Sequence, residues 1–181
     1  MWLYIKQLIQ LLLSPARGWE DISEAALPSE EIQRRGFYPW LAIVGASDFL
    51  RLCYVRDLTF LDALQSAIAI AGALFISLYL ARLFLDLALP QYVDNKLNVT
   101  KINTFTIFMT GMIGFYNVIS NALPASMTFL HFLPLLSLLI IFKSTVYMGV
   151  KQDKAMTFLW ITAVGVILIP IGMAALLSFI I

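Results

Sequence analysis

Asp48, Arg51, Arg82, Asp86 and Lys143 are ionisable side chains standing inside long apolar runs, and their types and places define the chemistry this chain could hold. An ionised side chain at the centre of a bilayer costs about 2.5–3.5 kcal/mol on insertion scales, so it faces protein or water and has a partner. Two readings follow. Paired charges can simply fix which helices meet, or they can line a water-accessible cavity for an ion, a proton or a lipid headgroup. The expected interhelical pair is Asp48 with Arg82, and Asp86, one helical turn beyond Arg82, completes a cluster of net charge minus one. Arg51 is expected to reach outward, toward headgroups or toward Asp57 and Asp62, and Lys143 to snorkel to its own interface.

A second set is uncharged. Thr110, Gly114, Asn117 and Asn121 recur at intervals of four, three and four residues and form one small, polar helix stripe. Such a stripe packs helices closely and bonds amides across them, and it can also line a polar cavity. His131 stands alone, without a carboxylate at ligand spacing, and Cys53 has no second cysteine for a disulfide or a zinc site. Patterns for a serine nucleophile elbow, a phosphate loop, a metalloprotease helix or a dinucleotide fold are missing. The chain reads as a non-enzyme, with no cofactor and no metal; an enzyme built around His131 is the remote alternative.

The elements that must position these residues follow from composition. Of 181 residues 61% are hydrophobic and 13% charged, about half the charged share of a soluble domain, and the net charge of +1 gives no reason to expect nucleic acid. Five apolar runs, at 37–55, 63–89, 104–123, 129–148 and 157–181, approach the roughly 20 residues that a bilayer core requires. The expected fold class is all-α, an integral membrane bundle of five transmembrane helices. Pro134 and Pro170 can kink the last two spans. With five crossings, Lys6, Arg17, Arg34, Arg35, Lys96, Lys101, Lys151 and Lys154 fall on one side and Arg56 alone on the other. The asymmetry puts the N-terminus in the cytoplasm and the C-terminus outside.

Residues 1–36 read as a cytoplasmic interfacial segment of short amphipathic helices. Trp2, Ile5, Leu8, Ile9 and Leu12 share one face of the first, opposite Lys6, Gln7 and Gln10, as in a helix lying flat on a membrane. Ser14 reads as an N-cap with Pro15 at the first helical position of a second helix, on which Trp19 and Ile22 share a face and Arg17 and Asp21 can pair. Tryptophan favours headgroup depth, so Trp2 and Trp19, with Pro15 and Ile22, are the expected interfacial anchors. Glu30 with Arg34 and Glu31 with Arg35 are also spaced for ion pairs.

The order Pro15, Trp19, Ile22, a P-x-x-x-W-x-x-I motif after an amphipathic leader and before five closely spaced helices, resembles the Yip family of Rab-GTPase-interacting membrane proteins. The resemblance implies a five-helix integral membrane protein without established catalysis, associated in eukaryotes with vesicle trafficking and membrane shaping. The long soluble N-terminal region of those members has no counterpart here, which turns the expectation from a small-GTPase partner toward the prokaryotic branch and a bacterial cytoplasmic membrane. The function expected is a scaffold that binds lipids, other membrane proteins or its own copies. The alternative is a small transporter or channel using Asp48, Arg82 and Asp86, joined by Asn117 and Asn121.

Overall fold

A computed structural model describes residues 1–93, 99–123 and 133–180 of the chain. Among these residues the protein is all-helical, apart from one isolated bridge between Val93 and Val150. Two leader helices, α1 (Trp2–Leu13) and α2 (Pro15–Ala25), precede five rods: α3 (29–53), α4 (Phe60–Ala88), α5 (Val99–Ala122), α6 (Leu133–Lys143) and α7 (Gln152–Ile180). Contacts between Asp48 and Ser66, Tyr54 and Asn121, and Lys101 and Tyr147 show successive rods alternating in direction. Three of them, α4, α5 and α7, are long and apolar enough to cross a membrane. Outward-facing Leu87 of α4 and Trp160 and Phe179 of α7 give the two outer rods an apolar surface, as lipid contact requires.

The rod α5 is the axis of the bundle: 67% of its membrane-length window is enclosed, against 39% for α4 and 22% for α7. Its glycines explain the closeness. A Cβ on Gly114 would lie 2.9 Å from Val44 of α3 and 3.3 Å from Leu74 of α4, so a side chain there would push both neighbours away. Thr110, one turn earlier on the same stripe, is fully buried.

Two rods widen for a proline. The turn Gln33–Phe37 before Pro39 and the turn Val164–Leu168 before Pro170 are both π-helical. A proline withholds the amide that a carbonyl one turn earlier would accept, and a wider turn absorbs the mismatch. Each π turn also contains a glycine in close contact, Gly36 against Tyr4 and Gly165 against Phe84. At the far end, α3 tightens into a 3-10 turn over Asp48–Cys53. The next rod, α4, starts on a capping box in which Asp62 N–H donates to Thr59 Oγ1 and Thr59 N–H donates to Asp62 Oδ2.

The leader departs from expectation. Instead of lying on lipid by its Trp2–Leu12 stripe, α1 turns Tyr4, Gln7, Leu8 and Leu11 into the bundle, leaving Trp2, Ile9 and Leu13 exposed. Its apolar arc is broad enough for two surfaces, and the half holding Tyr4 finds its partner inside the bundle, where the phenol donates to the Ile107 carbonyl at 2.9 Å. Burial pushes that phenol well above its ordinary range and keeps it a neutral donor. Three glycines make the seat: Gly18 meets Leu11, Gly36 meets the Tyr4 ring, and Gly111 lies under the Tyr4 hydroxyl.

In α2, Ser14 precedes Pro15 at the first helical position as expected, although the Ser14 side chain makes no capping bond. Trp19 is not a headgroup anchor. It is 2% exposed, its ring stacks on Phe105 and Tyr147 at 5.3 and 5.1 Å, and its Nε1–H donates to the Ile140 carbonyl at 3.0 Å. Ile22 is buried beside it. The indole N–H decides the matter, since a buried tryptophan must find an acceptor and here α6 supplies one. Asp21 accepts from Gln10 rather than from Arg17, and of the two spaced pairs further on, Glu31 with Arg35 forms, at 2.8 Å.

Candidate functional site

The end of the bundle opposite the leader holds a polar cleft of about 450 Å³. It is built where α3 and α5 end and α4 begins. The walls are Asp48 and Arg51 from the 3-10 turn of α3, Asp62, Gln65 and Ser66 from the first turns of α4, and Asn117 and Asn121 from α5; Ala174 and Ser178 of α7 close the side. Asp48 and Asn121 on the floor are buried, and Asp62 and Ser178 on the rim are exposed.

Asp48 is the centre of the cleft. It is 2% exposed; Oδ1 accepts from Ser66 Oγ at 2.9 Å and lies 3.7 Å from Arg51 Nη1, while Oδ2 is buried without a hydrogen-bond partner in the protein. Asn121 Nδ2 donates to Ser47 Oγ and to Asn117 Oδ1, both at 3.0 Å. Tyr54 caps the corner by donating to the Asn121 carbonyl at 3.0 Å. Below the floor the packing closes, for Gly114 touches Val44, Trp40 and Leu74.

Of the six intramembrane polar candidates, four line this cleft: Asp48, Asn117, Asn121 and, against expectation, Arg51. Arg82 and Asp86 do not join them. They line a separate hollow of about 240 Å³ with Asn103, toward the other end of α4. Arg82 Nη2 donates to Gln33 Oε1 at 2.8 Å and its guanidinium lies 5.7 Å from the Tyr79 ring, within a network that includes Tyr38. The expected pair of Asp48 with Arg82 fails on register. Two antiparallel helices joined by a short turn keep a fixed pairing, so Asp48 faces Ser66, and fifteen residues before Asp48, Gln33 faces Arg82. Sixteen residues separate Ser66 from Arg82, roughly 24 Å of helix, which no arginine stem bridges. Arg51, expected to point away, turns back one helical turn to Asp48.

Sequence reasoning overlooked Ser47, Ser66 and Gln33. Each is a small or neutral polar residue of a kind common in membrane helices, and only the hairpin register singles it out. His131 lies outside the described residues, as do Lys96 and the beginning of the 129–148 run. Among the described residues no three His, Cys, Asp or Glu side chains converge as for a metal ion.

The class these features define is an all-helical protein with three membrane-length apolar helices, a leader packed into one end of its bundle and an acidic cleft at the other. Comparison with protein-family models, curated proteins and solved structures found no match to this chain.

Proposed function

We propose that the chain is a five-span, non-enzymatic membrane protein of Yip type from the prokaryotic branch, acting in a bacterial cytoplasmic membrane as a scaffold that binds lipids or other membrane proteins. The rods at 29–53 and 133–148 add two crossings to the three membrane-length helices, with the N-terminus cytoplasmic and the C-terminus outside. Lys101, which bonds the Tyr147 carbonyl, and Lys154, which bonds the Gln91 carbonyl, sit at the leader end, a distribution that supports this orientation.

One observation carries the choice of binding over transport: the cleft around Asp48 is blind. Tight packing lies below it, and at the other end Tyr4 and Trp19 fill the bundle from the cytoplasmic side. A transporter using Asp48, Arg82 and Asp86 together would need a path along the roughly 24 Å of helix that separates Ser66 from Arg82.

The test is two-sided thiol labelling in membrane vesicles, with Ser66→Cys in a Cys53→Ser background. A membrane-impermeant maleimide is expected to modify position 66 from the outer face only. Modification from both faces would mean a conduit and would overturn the reading.

A further inference from the structure

We infer that the cleft around Asp48 binds a primary ammonium group, either the headgroup amine of an outer-leaflet phosphatidylethanolamine or a free organic amine; this rests on reading the cleft as a binding site. Three independent features select that chemistry. The first is the unpartnered oxygen: Asp48 Oδ2 is a buried acceptor on a side chain 3% exposed, at the floor of a cavity large enough for a ligand. Arg51 reaches only Oδ1, at 3.7 Å, and a carboxylate so enclosed holds its charge best when the free oxygen also meets a donor that carries charge. The second is local charge. Two carboxylates, Asp48 and Asp62, stand against one guanidinium, Arg51, so the lining carries one negative charge in excess.

The third is the backbone. The rods α3 and α5 end at the cleft, presenting the partial negative charge of two helix C-termini, while only α4 begins there. The arrangement favours a cation and opposes a free anion.

Size and donor geometry narrow the cation further. A bare divalent ion requires six or more converging oxygens, and no three acidic or imidazole side chains converge among the described residues. The volume of about 450 Å³ is many times the roughly 30 Å³ share of one water, so the ligand has a body as well as a charge. Ala69, Ile70, Ala174 and Ala175 supply an apolar wall for that body. An –NH₃⁺ group has three donors, matching Asp48 Oδ2 together with Ser66 Oγ and the Asn117 carbonyl oxygen. A trimethylammonium has none. Arg51, 36% exposed at the side of the cleft, is placed to meet a phosphate carried by the same headgroup.

The test uses the full-length protein, stripped of lipid in a non-ionic detergent and titrated by native mass spectrometry with short-chain phosphatidylethanolamine, phosphatidylcholine of the same chains, and hexylamine. Phosphatidylethanolamine is expected to bind about tenfold or more tightly than phosphatidylcholine, a preference carried by the charged hydrogen bond. Asp48→Asn should erase it and Arg82→Gln should keep it. Ala174→Phe, which fills the cleft and leaves Asp48 untouched, should remove binding, so the outcome does not hang on how well Asp48→Asn folds. Asp48-dependent binding of hexylamine matching that of the lipid identifies a free amine as the source; binding of the lipid alone identifies the headgroup. Equal affinity for both lipids, or a preference that survives Asp48→Asn and Ala174→Phe, overturns the ammonium assignment alone. Binding of neither lipid nor amine overturns the binding-site reading as well.

Discussion

Trp19→Ala is the substitution that best separates a docked leader from one that lies on lipid. In the docked arrangement the indole is buried, stacked on Phe105 and Tyr147, and bonded to the Ile140 carbonyl. Truncating a buried tryptophan costs about 3–5 kcal/mol. Within that total, each aromatic contact contributes about 0.5–1.5 kcal/mol beyond area and the N–H bond about 1 kcal/mol. The loss falls mainly on local undocking of α1 and α2, because the rods retain their own contacts. The opening can be read as maleimide labelling of Ile22→Cys, a buried position on the same face, in a Cys53→Ser background. At tenfold per 1.4 kcal/mol, Trp19→Ala should raise the labelling rate by roughly 10²–10³-fold or more, up to the rate of an unprotected thiol. Trp19→Phe keeps the stacking and loses the bond of about 1 kcal/mol, so it should raise the rate only about fivefold. A thiol that labels rapidly beside the native tryptophan, or a rate indifferent to Trp19→Ala, would show that α2 rests on the membrane and would refute the packing described above.

Two further outcomes test the interior. Gly36→Ala places a Cβ 2.8 Å from Tyr4 and should destabilise the protein by about 1–3 kcal/mol in detergent unfolding, whereas Gly172→Ala, with nothing within 4 Å, should be neutral or stabilising by up to about 1 kcal/mol. Equal effects would remove the glycine seat from the account of leader docking. Asp48→Ala and Arg82→Ala should add within about 0.3–0.5 kcal/mol, as sites without a shared partner do. A coupling of 1 kcal/mol or more in that double-mutant cycle would restore their direct pairing.

Much of the architecture is legible in residue order because a bilayer imposes so few solutions. The runs at 63–89, 104–123 and 157–181 correspond to α4, α5 and α7, since length and apolarity alone dictate a helix there. The glycines and prolines that widen α3 and α7 are visible too, although which turn would become π-helical is not. The candidate site was half legible. Asp48, Arg51, Asn117 and Asn121 announce themselves by being expensive in lipid, but their partners Ser47 and Ser66 are inexpensive there and carry no such signal.

The sequence by itself determined that the chain is helical, which stretches are apolar enough for lipid, and that a few charged side chains must find company within them. These conclusions rest on local quantities, length and transfer free energy, that do not depend on which helix lies beside which. Tertiary structure alone decided that Asp48 sits by Ser66 and Arg82 by Gln33, and that Trp19 serves the interior rather than the membrane surface. Both depend on register and on which acceptor lies within about 3 Å of a donor, and a period of 3.6 residues fixes the face of a helix without naming the neighbour that face will meet.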